Sequence, residues 1–306
     1  MMRNNELNDN HFKVLRALKK FSKTGGATYD DLEDATRIKK SSLYVYIHDL
    51  REAGYPIETV GDRLFLEQHT TKNSREITLD GTHFRVGLIA DTHIGSKKFD
   101  EEHLHEFYRL AEEWGADIVL HAGDITEGFN VYRGQENEID VWGVDEQVER
   151  VIEVYPDNLP TAFITGNHDL AVMKTAGVDI GKMIARERPD MEYLGRYVAD
   201  VHLGDITVRL LHPDGGVTYA LSYRPQKYVE GYLAKGDDVG LLLFGHLHEQ
   251  LILHHADTYV VLPGCFQRPT DYLIRKGLHP VIGGVLADIS VKGGRVDILF
   301  RVVKWV

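Results

Sequence analysis

Cysteine is nearly absent: the 306 residues contain one, Cys265, so no intramolecular disulfide framework is available and a reducing cytoplasm is the expected setting. Long apolar runs are absent too. No stretch approaches the roughly 18 residues needed to span a bilayer, so no membrane association is expected. The longest runs, such as Val239 to Phe244, read as buried strands. The opening Met-Met-Arg-Asn-Asn-Glu lacks the apolar core of a secretory signal. Basic charge is in deficit, with 35 Lys+Arg against 47 Asp+Glu and a net charge of −12. Residues 1–75 hold 13 basic and 11 acidic residues, so the acidic excess lies beyond them. An acidic body argues against a broad nucleic-acid groove, although bound divalent cations would offset that charge locally. At 43% hydrophobic and 27% charged residues, the composition excludes disordered and fibrous readings.

What is present divides into two regions of different periodicity. In the first 66 residues, Phe12, Leu15, Leu18 and Phe21 recur at helical spacing over His11 to Phe21. Gly25-Gly26 closes that segment, and Thr28 is placed to cap a helix from Tyr29 to Ala35. Ser41 or Ser42 is placed to cap a third helix, which buries Leu43, Tyr46, Ile47 and Leu50 and ends at Gly54. Tyr55 to Val60 and Arg63 to Leu66 then flank Gly61-Asp62, a two-residue hairpin turn. Three helices and a wing in this order, with the wording from Lys39-Lys40-Ser41-Ser42-Leu43 to Glu58, resemble the winged helix-turn-helix of biotin-repressor-type regulators. The resemblance implies a helix from about Ser41 that presents Ser42, Tyr44, Val45 and His48 to a DNA groove. Arg37, Lys39, Lys40 and Arg63 would then meet phosphates. Dimerisation, or packing on the rest of the chain, is the other use of such a domain.

Residues 69–82 read as a polar linker, or an entering edge strand, between this domain (1–68) and a larger one (83–306). In the larger domain, apolar strands alternate with helices, the grammar of an α/β fold. The strand candidates are Phe84 to Ala90, Asp117 to Ala122, Thr161 to Thr165, Thr207 to Leu211 and Val239 to Phe244. The helical ones are Glu101 to Trp114, Val144 to Tyr155 and Ile180 to Glu187.

Each of the five strands runs into residues able to bind a metal. They are Asp91-Thr92-His93, Gly123-Asp124, Gly166-Asn167-His168-Asp169, His212, and Gly245-His246-Leu247-His248. Ligand sites in α/β sheets form at strand carboxyl ends, so five such loops can meet in one crevice. Imidazole and carboxylate donors without cysteine suit manganese foremost, with iron, zinc or nickel as alternatives, and argue against a structural zinc knot. Seven ligands exceed the needs of one ion but fit two that share a carboxylate. Gly123, Gly166 and Gly245 allow tight backbone turns beside the ligands. Any one of these motifs is common by chance; all five in this order are not.

This set resembles the calcineurin-like metallophosphoesterase family from about Phe84 to Phe266 and onward to Trp305. The resemblance implies a β-sandwich flanked by helices. It implies that Asp91, His93 and His248 hold one metal, that Asn167, His212 and His246 hold the second, and that Asp124 bridges both. A metal-bound hydroxide would attack the phosphoester, His168 would protonate the leaving oxygen or steady the phosphate, and Asp169 would orient His168 or support it from behind. Asp91-Thr92-His93-Ile94-Gly95 is also similar to the opening motif of the family's repair exonucleases. With the winged helix, it points to a phosphodiester in DNA or a nucleotide as substrate. The same combination resembles phosphoesterases of phages and archaeal viruses, which would make the compartment a host cytoplasm. No C-terminal DNA-capping domain is recognisable, which counts against processive exonuclease action. The alternatives are a phosphatase or phosphodiesterase for small phosphoesters, and a DNA-binding regulator with a non-catalytic phosphoesterase fold.

Substrate contacts are sought in two loops. Phe129, Tyr132, Arg133, Gln135 and Trp142, between Asp124 and Gly166, could form one wall of a cleft. Arg224, Lys227 and Arg268 could hold a second phosphate or a DNA backbone. His121, inside a strand, reads as a core residue, and Cys265 as a small buried one.

Overall fold

The computed structural model describes residues 9–22, 26–52, 55, 57–66, 76–216, 220–233, 237–292 and 295–306. The chain divides into two compact units, residues 1–70 and 71–306.

In the first unit, α1 (Asp9–Ser22), α2 (Tyr29–Thr36) and α3 (Lys40–Glu52) precede the antiparallel hairpin β1 (Ile57–Val60) and β2 (Arg63–Leu66). The helical stripe meets the hairpin in one core, where Val14, Leu18, Leu32, Leu43, Ile47, Leu50, Ile57 and Leu64 are buried. Thr28 does cap α2: its hydroxyl accepts from Asp31 N at 3.1 Å, and its own N–H donates to the Asp31 carboxylate at 2.8 Å. Such reciprocal capping satisfies two otherwise orphaned amides. Ser41 and Ser42 do not cap α3. That helix starts one residue earlier, at Lys40, and both serines lie in its first turn. Gly25, Gly54, residues 67–75, which take in the first half of the proposed linker, and the Phe12 side chain lie outside the described residues, whereas Ile77–Leu79 of that linker form a strand.

The second unit is built on two six-stranded sheets. Its elements run β3 (Ile77–Leu79), β4 (His83–Ile89), α4 (Glu101–Trp114), β5 (Ile118–Ala122), α5 (Val144–Val154), β6 (Thr161–Thr165), α6 (Asn167–Ala176), α7 (Ile180–Glu187) and β7 (Met191–Arg196). They continue through β8 (Val198–Leu203), β9 (Ile206–Leu211), α8 (Tyr223–Leu233), β10 (Leu241–Phe244), β11 (Gln250–His255), β12 (Thr258–Pro263), α9 (Asp271–Lys276), β13 (Gly283–Lys292) and β14 (Arg295–Lys304). One sheet has the order β14-β13-β4-β5-β6-β7 and the other β11-β12-β10-β9-β8-β3.

Alternation along each strand decides which neighbour it meets. Phe84, Val86 and Leu88 of β4 and Leu120 of β5 face Val208, Leu210, Leu241 and Leu243 of the other sheet, closing a core between the two. On the outer face of the first sheet, Ile89, Val119 and Phe163 pack under α4, α5 and α7. On that of the second, Leu242, Phe244 and Val260 pack under α8. Strands covered on both faces read as unbroken apolar runs. The architecture is therefore a β-sandwich flanked by helices, a mixed α/β fold. β4, β5 and β6 are parallel neighbours, as are β9 and β10, so each sheet ends its ligand-bearing strands along one edge.

Candidate metal centre

Three sets of donor atoms converge within 4.8 Å: Asp91, His93 and His248; His93, Asp124 and His168; and Asp124, His212 and His246. His93 Nε2 lies 3.9 Å from both Asp91 and Asp124, and His248 Nε2 lies 3.4 Å from Asp91. His212 Nε2 is 3.0 Å from Asp124 Oδ2 and 3.2 Å from Asn167 Oδ1, which brings Asn167 into the same cluster. Asp124 thus belongs to two sets, the placement a shared carboxylate needs.

The backbone at these positions is unusual. Asp91, His93, Asp124, His246 and His248 all have left-handed φ, between 51° and 77°, and make up half of the ten such non-glycine residues described. Each left-handed residue with a Cβ costs on the order of 1–3 kcal/mol. The surrounding structure imposes it: the amides of Asp91 and His93 donate to the carbonyls of Gly123 and Asp124, and that of His246 to the Asp91 carboxylate. Each side chain is thereby turned from its strand end into the crevice. The glycines act differently from the sequence expectation. Gly123 does take a left-handed turn, but Gly166 and Gly245 do not. They leave space instead. A Cβ at Gly166 would fall 2.3 Å from Asp124 Oδ1, and one at Gly245 would fall 2.4 Å from the Ala122 carbonyl.

A second layer fixes three of the ligand imidazoles. His212 donates through Nδ1 to the Ala122 carbonyl at 2.7 Å, which turns Nε2 toward Asp124. His93 donates through Nδ1 to Glu127 Oε2 at 3.0 Å, and His246 donates through Nε2 to the Gly215 carbonyl at 2.6 Å. Each bond fixes the ring's orientation and, in the neutral imidazole, which nitrogen keeps its lone pair. Glu127 is fully buried and also accepts from Gln135 and Gln267, both at 2.8 Å. The sequence reading missed it, because its three partners lie 34, 8 and 140 residues away and no short motif joins them.

Electrostatics favour added cations. Burial alone would raise the carboxylate pKa values, yet neighbouring imidazoles, His212 above all for Asp124 and His248 for Asp91, hold both below the ordinary range. His212 in turn is held at about 9 by Asp124 and Asp91, against its burial. Burial and His212 push His246 down to about 4, so it offers a lone pair at neutral pH. Among the described residues, the ion-pair partners of the two carboxylates are all histidines. Oxygen and nitrogen donors around two buried carboxylates that face no Lys or Arg fit divalent cations.

His168 donates through Nδ1 to the Glu127 carbonyl at 2.7 Å, Nε2 has no hydrogen-bond partner among the described residues, and the ring meets His93 edge-on at 4.4 Å. Of the two roles expected of Asp169, its hydrogen bonds match support of the loops around His168 and not a bond to the ring. The Asp169 carboxylate accepts from the amides of Ile125, Thr126 and Gly166 and from the Thr126 hydroxyl, so it ties the Asp124 loop to the start of α6. Burial and the Asp124 charge raise its pKa to about 6 despite those bonds. His121 is buried, pushed by desolvation down to about 3, and donates to Thr92, as a core residue would. Cys265 is buried too.

The cations expected to meet substrate have other occupations. Arg268 forms a two-point ion pair with Asp100 at 2.8 and 3.1 Å, and Lys227 pairs with Glu230 at 2.7 Å. Arg224 donates to the carbonyls of Asp214, Gly215 and Gly216, closing the loop that receives His246. Of the four, Arg133 alone is exposed with no such partner among the described residues. In the first unit, Lys40 pairs with Asp30 at 2.7 Å, Arg63 donates to the Gly26 carbonyl, and Ser42 is half-buried. Tyr44 and Val45 are exposed, Tyr44 stacking on Tyr29 at 4.1 Å, and Lys39 is exposed as well.

Residues 84–276 match the calcineurin-like phosphoesterase superfamily domain. Over 249 residues the chain is 25% identical to the DNA polymerase II small subunit of Archaeoglobus fulgidus, covering 66% of this chain and 50% of that one. Over 100 residues it is 33% identical to the subunit of the same name from Methanothermobacter thermautotrophicus, covering 28% and 21%. The chain thus spans half or less of these relatives' length. Among solved structures it is similar to an archaeal phosphodiesterase, at 13% identity and a TM-score of 0.40 over 71% of this chain and 99% of that one. It is also similar to vacuolar protein sorting 29 of Cryptosporidium parvum, at 15% identity and a TM-score of 0.37 over 74% and 100%. The family domain takes in more than half of the residues, including all seven of the clustered donors and His168, and the chain belongs to the calcineurin-like phosphoesterase superfamily.

Proposed function

We propose that the second unit hydrolyses a phosphodiester, in DNA or a nucleotide, with two divalent cations, manganese foremost. The observation that carries this reading is the meeting of seven donors from five strand ends around Asp124. In this reading Asp91, His93 and His248 hold one cation, Asn167, His212 and His246 hold the other, and Asp124 is common to both. When bound, the pair supplies Lewis acidity and a nucleophile from water near neutral pH. Glu127 and the Ala122 carbonyl keep His93 and His212 aimed inward. His168, anchored through Nδ1, has Nε2 free to hold a proton beside the leaving oxygen or to steady a phosphoryl oxygen. Asp169 positions the loops and does not touch substrate.

The first unit is read as a winged helix-turn-helix (1–68), joined to the phosphoesterase domain (83–306) by residues 69–82, within which Ile77–Leu79 form the edge strand β3. In it α3 would enter a groove with Tyr44, Val45 and Lys39 exposed. The name shared by the archaeal relatives, DNA polymerase II small subunit, supports a partnership with DNA. It also favours a second reading, an assembly or regulatory subunit with a silent site.

Turnover of bis-p-nitrophenyl phosphate, cyclic nucleotides and oligonucleotides in manganese separates these readings. His168→Asn, whose amide can still reach the Glu127 carbonyl, is expected to keep two metals per chain while losing roughly 10²- to 10⁴-fold in turnover. Two bound metals with no turnover of any of these substrates by the unmodified protein would establish the silent site.

A further inference from the structure

Beside His168 lies a feature that the metal centre does not use. The Tyr132 ring meets the His168 ring at 6.2 Å and stacks on Tyr272 at 4.4 Å, with the planes 29° apart. Lys276 Nζ lies 5.8 Å from the centre of the Tyr272 ring. One carboxylate fixes the pair: Glu138 accepts from the Tyr132 hydroxyl and, through its other oxygen, from the Tyr272 amide at 2.8 Å. Helix α9, which carries Tyr272 and Lys276, buries none of its residues. It is held by Glu138 and by its Thr270 cap, where Leu273 N donates to the hydroxyl at 3.2 Å. Of its side chains only Tyr272 and Leu273 are partly covered, Tyr272 by the stack on Tyr132, and the other four are exposed. Arg133, Arg275 and Lys276 are exposed along this strip, among the exposed acids Glu136, Asp140 and Asp271.

We infer that the Tyr132–Tyr272 stack and Lys276 form a track for single-stranded polynucleotide leading away from the phosphodiester site. The inference rests on that site being a phosphodiesterase and names its substrate class. Bases of any identity stack on aromatic rings, and cations beside the rings follow the backbone. A small phosphoester would need neither. Tyr132, next to His168, would take the base nearest the scissile phosphate, and Lys276 a phosphate further along.

The test measures anisotropy of a short fluorescein-labelled oligothymidylate in manganese, with every protein carrying His168→Asn to slow turnover. Tyr272→Ala is expected to weaken binding by roughly tenfold, and Tyr272→Phe to restore it, since the stack needs the ring and not the hydroxyl. Lys276→Ala is expected to lower the dependence of log Kd on log salt by about 0.7. In the His168 protein, Tyr272→Ala should reduce kcat/KM for the oligonucleotide more than for bis-p-nitrophenyl phosphate. Unchanged affinity and salt slope in both variants would overturn the track. So would oligothymidylate failing to bind a protein that turns over the small diester, which would point to free nucleotides. Anisotropy needs no turnover, so an inactive protein that binds through Tyr272 and Lys276 refutes the phosphodiesterase reading and leaves the track standing.

Discussion

In the first unit, charged side chains are paired at the surface: Lys40 with Asp30, Arg63 with the Gly26 carbonyl, Arg51 with Thr59. In the second, the crevice holds two carboxylates and several imidazoles that are buried, mutually shifted in pKa and carried on backbone of high local energy. Both units have well-packed apolar cores, so stability does not require this arrangement. A fold that gathers half of its described left-handed non-glycine residues, together with these mutually dependent polar groups, at one edge of two sheets is organised around a ligand there. The N-terminal unit has no comparable concentration among its described residues. Its contribution would come from exposed groups on α3, each individually weak.

The contrast can be broken at its centre. Asp124→Asn keeps the shape and tolerates left-handed backbone, but it removes the shared charge. Turnover of bis-p-nitrophenyl phosphate should fall on the order of 10³-fold or more, with metal content dropping in parallel. If activity persists, Asp124 is not the bridge. Next in size is metal-linked stability. Titrating manganese to about 100 times its Kd should stabilise the protein by about 2.7 kcal/mol, read as a melting temperature higher by several degrees. A melting temperature indifferent to metal would remove the cations from the argument. Glu127→Gln should reduce manganese affinity by about 10- to 100-fold, measured by calorimetry, because an amide cannot accept from His93, Gln135 and Gln267 as a carboxylate does. The smallest effect is expected in the first unit. Lys39→Glu should weaken duplex DNA binding a few-fold and lower the salt slope by about 0.9; no change there would leave that unit without a DNA role.

How much of this was legible depends on the range over which each feature is encoded. The ligand-bearing loops could be read because each is local: a β-branched apolar run, then a metal-binding residue within two or three positions, as in Thr161–Thr165 followed by Gly166-Asn167-His168. The capping of α2 by Thr28 is local in the same way. Pairings across long separations were not legible. Arg268 could be read as a substrate contact or as half of a salt bridge until the fold brought Asp100, 168 residues away, against it, and Glu127 looked ordinary until Gln267 arrived. Nor does the sequence say that Gly166 is needed for space and not for a turn, since both demands select the same residue.

The left-handed ligand positions change how substitutions there must be read. Alanine is the usual way to delete a side chain, but at Asp91, His93, Asp124, His246 and His248 it keeps the Cβ that makes this backbone costly. Glycine removes the ligand and the steric penalty together. At these five positions a glycine variant can therefore fold more stably than the alanine variant, the reverse of the order inside a helix or strand. The difference between the two melting curves reads out the local strain directly, separate from whatever the lost side chain did for a metal.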